Sequence, residues 1–227
     1  MLGTIVNCVA ILMGGGLGLL LKKGLPKKLS DTVMQGVALI CIYIGITGSL
    51  QGKNALIATV AMVVGGVVGT LLELDAHLNH LAHRIEKMLV KDEKAGSTFG
   101  EGFVTATLLF CVGAMAVVGS LNSGLSGNHE VLFTKSLLDG VSAFIFASAL
   151  GGGVLLSAVP VLLYQGAITL LARGIAPALS LVAIDEMTCV GSLLIVAIGT
   201  NLLKVTNIKV MNFVPAIFLP ILLCLFL

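Results

Sequence analysis

The stretch Gly140–Ala172, GVSAFIFASALGGGVLLSAVPVLLYQGAITLLA, contains no charged side chain, although Gly151–Gly153 and Pro160 interrupt it. As one straight helix it would be about 50 Å long, whereas the hydrocarbon core of a bilayer is about 30 Å thick. The stretch must therefore turn or break inside a membrane. Membrane transporters often build ion and solute sites at interrupted apolar segments of this kind. The stretch predicts an all-α, polytopic transmembrane helix bundle with glycine-broken helices.

The composition agrees with this prediction. Of the 227 residues, 57% are hydrophobic and 11% are charged, whereas soluble domains carry about 25% charged residues. The net charge is +2, and no cluster of lysines and arginines with interleaved aromatics occurs, so we expect no nucleic-acid partner. The first apolar run is followed rather than preceded by lysines, which argues against a cleavable signal peptide.

The five cysteines lie one to a segment, and no two are close in the sequence. A disulfide framework or a zinc site would need paired spacings. We interpret the cysteines as small packing residues, and we expect neither a metal site nor a cofactor.

The apolar segments are long enough to cross a bilayer. We predict seven: Leu2–Leu21, Val33–Leu50, Asn54–Leu72, Gly102–Leu121, Leu137–Leu156, Ser157–Ala172 and Glu186–Leu203. Met211–Leu227 makes an eighth if the glycine-broken run is two spans.

The basic residues suggest an orientation. Lysines crowd the first loop at positions 22–28, which predicts a cytoplasmic loop and an external N-terminus. The basic connection Glu73–Glu101 returns to the cytoplasm, and the loop Asn122–Ser136 lies outside. Two spans in 137–172 are favoured because Leu137–Leu156 alone is long enough to cross, and one span with a re-entrant segment remains the alternative.

The chain divides into a first helical block (1–72), a connector (73–101) and a second helical block (102–227), all within one transmembrane domain. Apolar residues of the connector recur at helical spacing, which predicts an amphipathic helix on the inner membrane surface or against a neighbouring subunit. They are Leu74, Leu78, Leu81, Ile85 and Met88. We expect a homo-oligomer.

Other connector residues share one helix face: Glu73, His77, His80 and Arg84. Two histidines three residues apart could share an ion, but further ligands are missing and the arginine would repel a cation. A solvated or headgroup-facing surface is the favoured interpretation.

Glycine motifs recur in both blocks. Two motifs occur twice: a triple glycine, at Gly14–Gly16 and Gly151–Gly153, and a GSL triplet, at Gly48–Leu50 and Gly119–Leu121. They suggest an internal repeat, or they reflect only the small-residue content that is typical of membrane helices. Neither triple glycine is followed by the Lys-Ser/Thr pair of a phosphate-binding loop. Close helix packing is their favoured use, and backbone groups lining a site are the alternative.

Several ordered motifs resemble one family. They are Gly3–Asn7 (GTIVN), Cys111–Met115 (CVGAM), Gly119–Leu121 (GSL), Lys135–Gly140 (KSLLDG), Tyr164–Gly166 (YQG), Glu186–Gly191 (EMTCVG) and Gly199–Leu203 (GTNLL). Together they resemble the bacterial membrane proteins catalogued as domain of unknown function 554, some of which are labelled as proposed transport proteins. The resemblance covers nearly the whole chain and implies a polytopic inner-membrane protein of bacteria. It implies no activity and no site residues.

Asp139 is the first candidate for ion or proton chemistry. It opens the fifth predicted span, four residues after Lys135. It could bind a cation at the mouth of a pathway, or it could be an acid in the first helical turn, paired with that lysine.

Four amides lie in or at the ends of apolar segments: Asn7, Gln35, Gln165 and Asn201. An unpaired amide in hydrocarbon is costly, so each should face protein or water. Gln165 is the best placed because it follows the glycine break and Pro160. Its alternative role is an interhelical hydrogen bond that only holds the bundle together.

Asp185 and Glu186 begin the next-to-last predicted span. Asp185 is a natural N-cap, whereas Glu186 could belong to an ion pathway. Met187 and Cys189, which are close to Glu186, could form a soft-metal path together with Cys111 and Met115, although the spacing does not require it.

We therefore predict an inner-membrane transporter or channel for a small ion or polar solute, with a site near the broken helices around Gly14–Gly16 and Gly151–Gly153. The candidate pathway residues are Asn7, Gly14, Gly15, Gly16, Asp139, Gly151, Gly152, Gly153, Gln165, Glu186 and Asn201. The competing hypothesis is a scaffold or sensor whose connector helix binds a partner. An enzyme is disfavoured, because the sequence shows no Ser-His-Asp set, paired carboxylates or HExxH motif.

Overall fold

The computed structural model describes residues 1–22, 27–77, 80, 96–112, 114–176 and 179–226, among which no β-strand occurs. Its elements, in chain order, are α1 (Leu2–Lys22), α2 (Lys27–Ser49), α3 (Ala55–Leu71), α4 (Gly96–Cys111), α5 (Ala114–Leu125), α6 (Glu130–Leu150), α7 (Gly153–Leu156), α8 (Ala158–Ile175), α9 (Leu181–Leu202), a 3-10 segment (Val210–Ile217) and α10 (Leu219–Phe226). The predicted all-helical class is confirmed.

Five helices of the described residues are long and apolar enough to cross a membrane. They are Leu2–Leu21, Asp31–Ser49, Glu130–Leu150, Gly153–Ile175 and Leu181–Leu202. The pair α4 and α5 makes a sixth if it counts as one span. The predicted seven or eight spans are reached only if shorter apolar helices, Ala55–Leu71 and Val210–Cys224, also cross.

Two predicted spans are interrupted. The span predicted at 102–121 consists of two helices, Phe99–Cys111 and Met115–Leu125, which are bent by 56°. The segment predicted at 211–227 begins as a 3-10 segment that contains Pro215 and becomes α-helical only from Leu219. Proline removes a backbone donor and crowds the preceding turn, which accounts for the second interruption.

The two triple glycines behave differently. α1 continues as an α-helix through Gly14–Gly16, so the predicted break there is wrong. An unbroken helix keeps the backbone groups paired, which apolar surroundings demand. Gly151, by contrast, has φ 91° and ψ −155° and ends α6. The uncharged run therefore divides between two helical segments, 130–150 and 153–175, each long enough to cross.

Contacts group the chain into two compact units. The first contains Met1–Val37, His80–Cys111 and Met115–Arg173. Within it α1 packs along α6. Gly14 and Gly18 face the backbone carbonyls of Gly140 and Phe144, so a methyl group at either glycine would collide with backbone. The absence of side chains is thus what lets these two helices approach closely.

The second unit contains Ala38–Asn79, Val112–Ala114 and Gly174–Leu227. Within it α3 packs on the 3-10 segment, with Gly65 and Gly69 against Ala216 and Asn212. The side chain of Asn54 caps α3 by accepting the backbone N–H of Leu56. The three predicted sequence blocks follow chain order rather than contacts and stay a prediction.

Two sequence-based predictions stay open. Most of the predicted connector helix, at 78–79 and 81–95, lies outside the described residues, as does Arg84. The two GSL triplets occupy different positions in their helices: Gly48 and Ser49 end α2, whereas Gly119–Leu121 lie inside α5. The internal repeat therefore stays a prediction.

Candidate functional site

Four polar side chains meet in the buried interior of the first unit. They are Asn7 of α1, Lys135 and Asp139 of α6, and Gln165 of α8, and we call them the polar centre. Asn7 and Gln165 have no exposed surface, and Lys135 and Asp139 are each 6% exposed. Burial of so many polar groups in an apolar bundle is costly unless they bind one another or a ligand.

Asp139 is the acceptor around which the centre is organised. Lys135 Nζ donates to its Oδ1 at 2.8 Å and to its Oδ2 at 2.7 Å. Asn7 Nδ2 donates to Asp139 Oδ2 at 2.9 Å and to Gln165 Oε1 at 3.4 Å. A carboxylate can only accept, so the amide nitrogen of Asn7 must face it, and the oxygen of Gln165 must face that nitrogen.

The helices determine how these groups meet. Lys135 and Asp139 are one helical turn apart, which places both on the same face of α6. The glycine contacts of α1 with α6 bring Asn7 close enough to reach the carboxylate. Asp139 lies about 14 Å along a helix about 32 Å long, and Gln165 lies at the middle of Gly153–Ile175. The centre is therefore deep within the candidate spans.

This arrangement corrects two sequence interpretations. Asp139 is not in a first helical turn, because α6 begins at Glu130. Lys135 is not in an external loop, because it lies inside α6 and is buried. The pairing of opposite charges lets the helix extend through residues that a charge count assigns to a loop. The Lys-x-x-x-Asp spacing was the sequence signal for this, although the burial of Lys135 was missed.

Hydrogen bonding within the centre is incomplete. Asn7 Oδ1 and Gln165 Nε2 are buried and have no hydrogen-bond partner among the residues that the structure describes. Thr4 Oγ1, one turn before Asn7, is also buried without a hydrogen-bond partner among the described residues. Each buried polar atom without a partner costs about 1–3 kcal/mol. The centre thus keeps at least one acceptor and one donor for a bound solute or water.

Glu186 is a second buried acid, in the second unit. It has no exposed surface, and its Oε1 accepts the backbone N–H groups of Lys53 at 2.7 Å and of Asn54 at 2.9 Å. α9 begins at Leu181 with Ser180 as its N-cap, so the prediction that Asp185 caps this helix is wrong. Asp185 instead pairs with Lys53 Nζ at 3.1 Å.

Asn201 is engaged locally. Its Nδ2 donates to the carbonyl of Ile208 at 2.8 Å, and its Oδ1 accepts the N–H of Ile208 at 2.9 Å and the hydroxyl of Thr206 at 2.7 Å. These bonds close the loop that follows α9. A pathway role for Asn201 stays a prediction.

The glycine candidates have mixed surroundings. Gly14 packs against Gly140, Gly15 against the side chain of Leu155, and Gly153 against the backbone of Phe99. A methyl group at Gly16 would meet none of the described residues within 4 Å. Gly14, Gly15 and Gly153 thus allow close packing, and Gly151 allows the chain to break after α6.

The metal hypotheses receive no structural support in the described part of the chain. No group of three His, Cys, Asp or Glu side chains there could hold a metal ion. His77 Nδ1 contacts the carbonyl of Glu73 at 3.0 Å. Methionine is not among these ligands, so the soft-metal path suggested by the cysteines and methionines stays a prediction.

The fold and the buried centre define a helical membrane protein. A family model described as "Protein of unknown function (DUF554)" matches residues 2–225, and the chain belongs to this family. This confirms the resemblance found in the sequence motifs.

Two relatives extend over nearly the full chain. The chain is 31% identical over 224 residues to "Uncharacterized membrane protein YdfK" of Bacillus subtilis (strain 168), covering 97% of this chain and 94% of the relative. It is 28% identical over 220 residues to "Uncharacterized protein YqgA" of Escherichia coli (strain K12), covering 96% of this chain and 94% of the relative. No solved structure matches the chain.

Proposed function

We propose that this protein is an inner-membrane transporter or channel for a small ion or polar solute, with the polar centre as its binding site. One observation carries the proposal. Asn7 Oδ1 and Gln165 Nε2 are buried inside candidate spans, Gln165 at the middle of its span, and both atoms lack a partner in the described residues. Ionisable and amide groups at such depth commonly mark solute and ion pathways.

The chemistry of the centre suggests what it would accept. Lys135 and Asp139 together carry no net charge when both are ionised, so the centre does not favour a strongly charged ligand. A ligand with both a hydrogen-bond donor and an acceptor would satisfy Asn7 Oδ1 and Gln165 Nε2 together. A small neutral or zwitterionic solute fits this pattern best, and alternating access around the centre is the mechanism we propose.

The test is uptake by proteoliposomes from a panel of alkali cations, chloride, amino acids and small carboxamides. Asp139→Asn and Gln165→Ala should each lower the flux of the transported solute at least about tenfold, since each removes hydrogen bonds at the site. The matched controls are Asp31→Asn and Gln35→Ala, because both residues are exposed on α2. These two variants should retain wild-type flux.

The outcomes separate the alternatives. Flux that is indifferent to both centre substitutions would remove the site assignment even if transport is real. If no solute on the panel moves although the reconstituted protein remains folded and monodisperse, the proposal fails, and the scaffold or sensor hypothesis takes its place.

A further inference from the structure

The acid in the second unit, Glu186, has one oxygen occupied and one free. Its Oε1 accepts two backbone N–H groups at the start of α3, from Lys53 and Asn54. Its Oε2 is buried and has no hydrogen-bond partner within the described ranges. The two amide donors account for the position of the carboxylate, but they leave Oε2 unexplained.

A cleft adjoins this free oxygen. It has a volume of about 530 Å³, and Glu186, Gly52 and Thr59 are among the residues that line it. A methyl group placed on Gly52 would lie 2.7 Å from Cys189 Sγ and 3.2 Å from Oε2. The missing side chain at Gly52 therefore keeps open the space next to the oxygen. The volume is within the range of small-ligand pockets.

Among the described residues, the charges around the cleft leave Glu186 without a counterion. Both backbone donors bind the same oxygen, Oε1, so neither contacts Oε2. The basic residue at the cleft is Lys53, but its Nζ pairs with Asp185 at 3.1 Å and its side chain is 70% exposed. A buried carboxylate held in this way needs a positive charge at its second oxygen.

We propose that the cleft beside Glu186 binds a monovalent cation, either an alkali-metal ion or a small alkylammonium ion, at Oε2. A divalent ion usually needs several carboxylates, and no cluster of three His, Cys, Asp or Glu side chains occurs in the described part of the chain. The hydroxyls of Ser49 and Thr59 offer neutral oxygens. The apolar lining of Ala58 and Met62 leaves room for a short alkyl group. This site is independent of the polar centre.

The test is thermal unfolding of the purified full-length protein in detergent. Chloride salts of Na⁺, K⁺, Li⁺ and methylammonium are compared with N-methyl-D-glucamine chloride at constant ionic strength. At least one of the four cations should raise Tm by about 3 °C or more in a saturable manner. Comparison of the three alkali cations with methylammonium distinguishes an alkali-metal ligand from an alkylammonium ligand.

The deciding variant is Glu186→Gln, which keeps an oxygen for the two backbone donors but removes the charge. It should lose the cation-dependent rise in Tm. The matched control, Glu130→Gln, changes an exposed acid of the first unit and should retain the rise. Asp139→Asn should also retain it, which separates this proposal from the proposed transport site. A rise that persists in Glu186→Gln would overturn the inference.

Because Glu186→Gln could fail to fold, infrared difference spectra of the unmodified protein, with ¹³C-labelled glutamate, give a second measurement. Addition of the stabilising cation should shift a carboxylate stretching band. The inference is overturned if none of the four cations affects the unmodified protein, or if the cation changes only a protonated carboxyl band.

Discussion

The pair of Lys135 and Asp139 shows how single residues control the interior of the first unit. Both are almost fully buried and are joined by two short hydrogen bonds. Removing one partner of a buried ion pair leaves an uncompensated charge, whereas replacing both by apolar residues is often neutral. Single and double substitutions of Lys135 and Asp139 therefore distinguish the loss of one charge from the loss of the whole ion pair.

Lys135→Met should lower the free energy of unfolding by about 3–5 kcal/mol, because Asp139 is left buried without its counterion. The double variant Lys135→Met/Asp139→Leu should recover most of that loss. Unfolding by a detergent titration in mixed micelles measures both effects. Lys28→Met, at an exposed position of α2, is the control and should be near wild type. Equal stability of Lys135→Met and wild type would contradict the assigned pairing.

At the scale of the element, the glycines of α1 have separate roles although they are neighbours in the sequence. Gly14 faces the backbone of α6, whereas Gly16 faces open space. Helix propensity favours alanine over glycine at both positions, so only packing distinguishes them. The two positions therefore report on the contact of α1 with α6.

Gly14→Ala should lower the free energy of unfolding by about 1–3 kcal/mol, because its methyl group would collide with the carbonyl of Gly140 and force the helices apart. Gly16→Ala should be neutral or stabilising by up to about 1 kcal/mol. Thermal unfolding in one detergent measures the pair. A loss in Gly16→Ala equal to that in Gly14→Ala would argue against a specific α1–α6 contact.

The break after α6 provides a second test at this scale. Gly151 has φ 91° and ψ −155°, which side-chain-bearing residues rarely adopt, whereas Gly152 has φ −65° and ψ −21°. Gly151→Ala should cost about 1–3 kcal/mol of stability. At Gly152 an added methyl would meet Phe99 at an ordinary 3.6 Å, so Gly152→Ala should be tolerated. Comparable unfolding temperatures for the two variants would contradict the backbone break.

For the whole molecule, the orientation in the membrane rests on the distribution of basic residues. The lysines of the first loop predict that Lys28 faces the cytoplasm. If α2 and α3 each cross, and α4 with α5 crosses once, the turn that contains Ser126 lies outside. If either α3 or the α4–α5 pair does not cross, Lys28 and Ser126 are on the same side.

Cysteine labelling decides between these arrangements. Ser126→Cys should react with a membrane-impermeant maleimide in intact spheroplasts, and Lys28→Cys should react only after permeabilisation. Both positions are exposed, whereas the native cysteines are buried or half-buried, so the wild-type protein gives the background. Labelling of both variants under the same condition would show that α3 or the α4–α5 pair does not span.

The amino-acid sequence by itself determined the class of this protein, because hydropathy and length are local properties. The uncharged run of Gly140–Ala172, too long for one crossing, indicated a break, and Gly151 supplies it. Gln165 and Asn7 were recognisable as costly amides in apolar segments. These features need only the residue types and the thickness of a bilayer.

Only the tertiary structure decided which polar groups meet. Asn7 and Asp139 are 132 residues apart in the chain and 2.9 Å apart in space, and no local pattern records that contact. The burial of Lys135 likewise depends on a helix distant in the chain, because α1 packs along α6. Continuity of α1 through Gly14–Gly16, against the predicted break, follows from its close contact with α6. Residues distant in the chain, rather than local propensity, determine whether each polar group in this interior is buried and hydrogen-bonded.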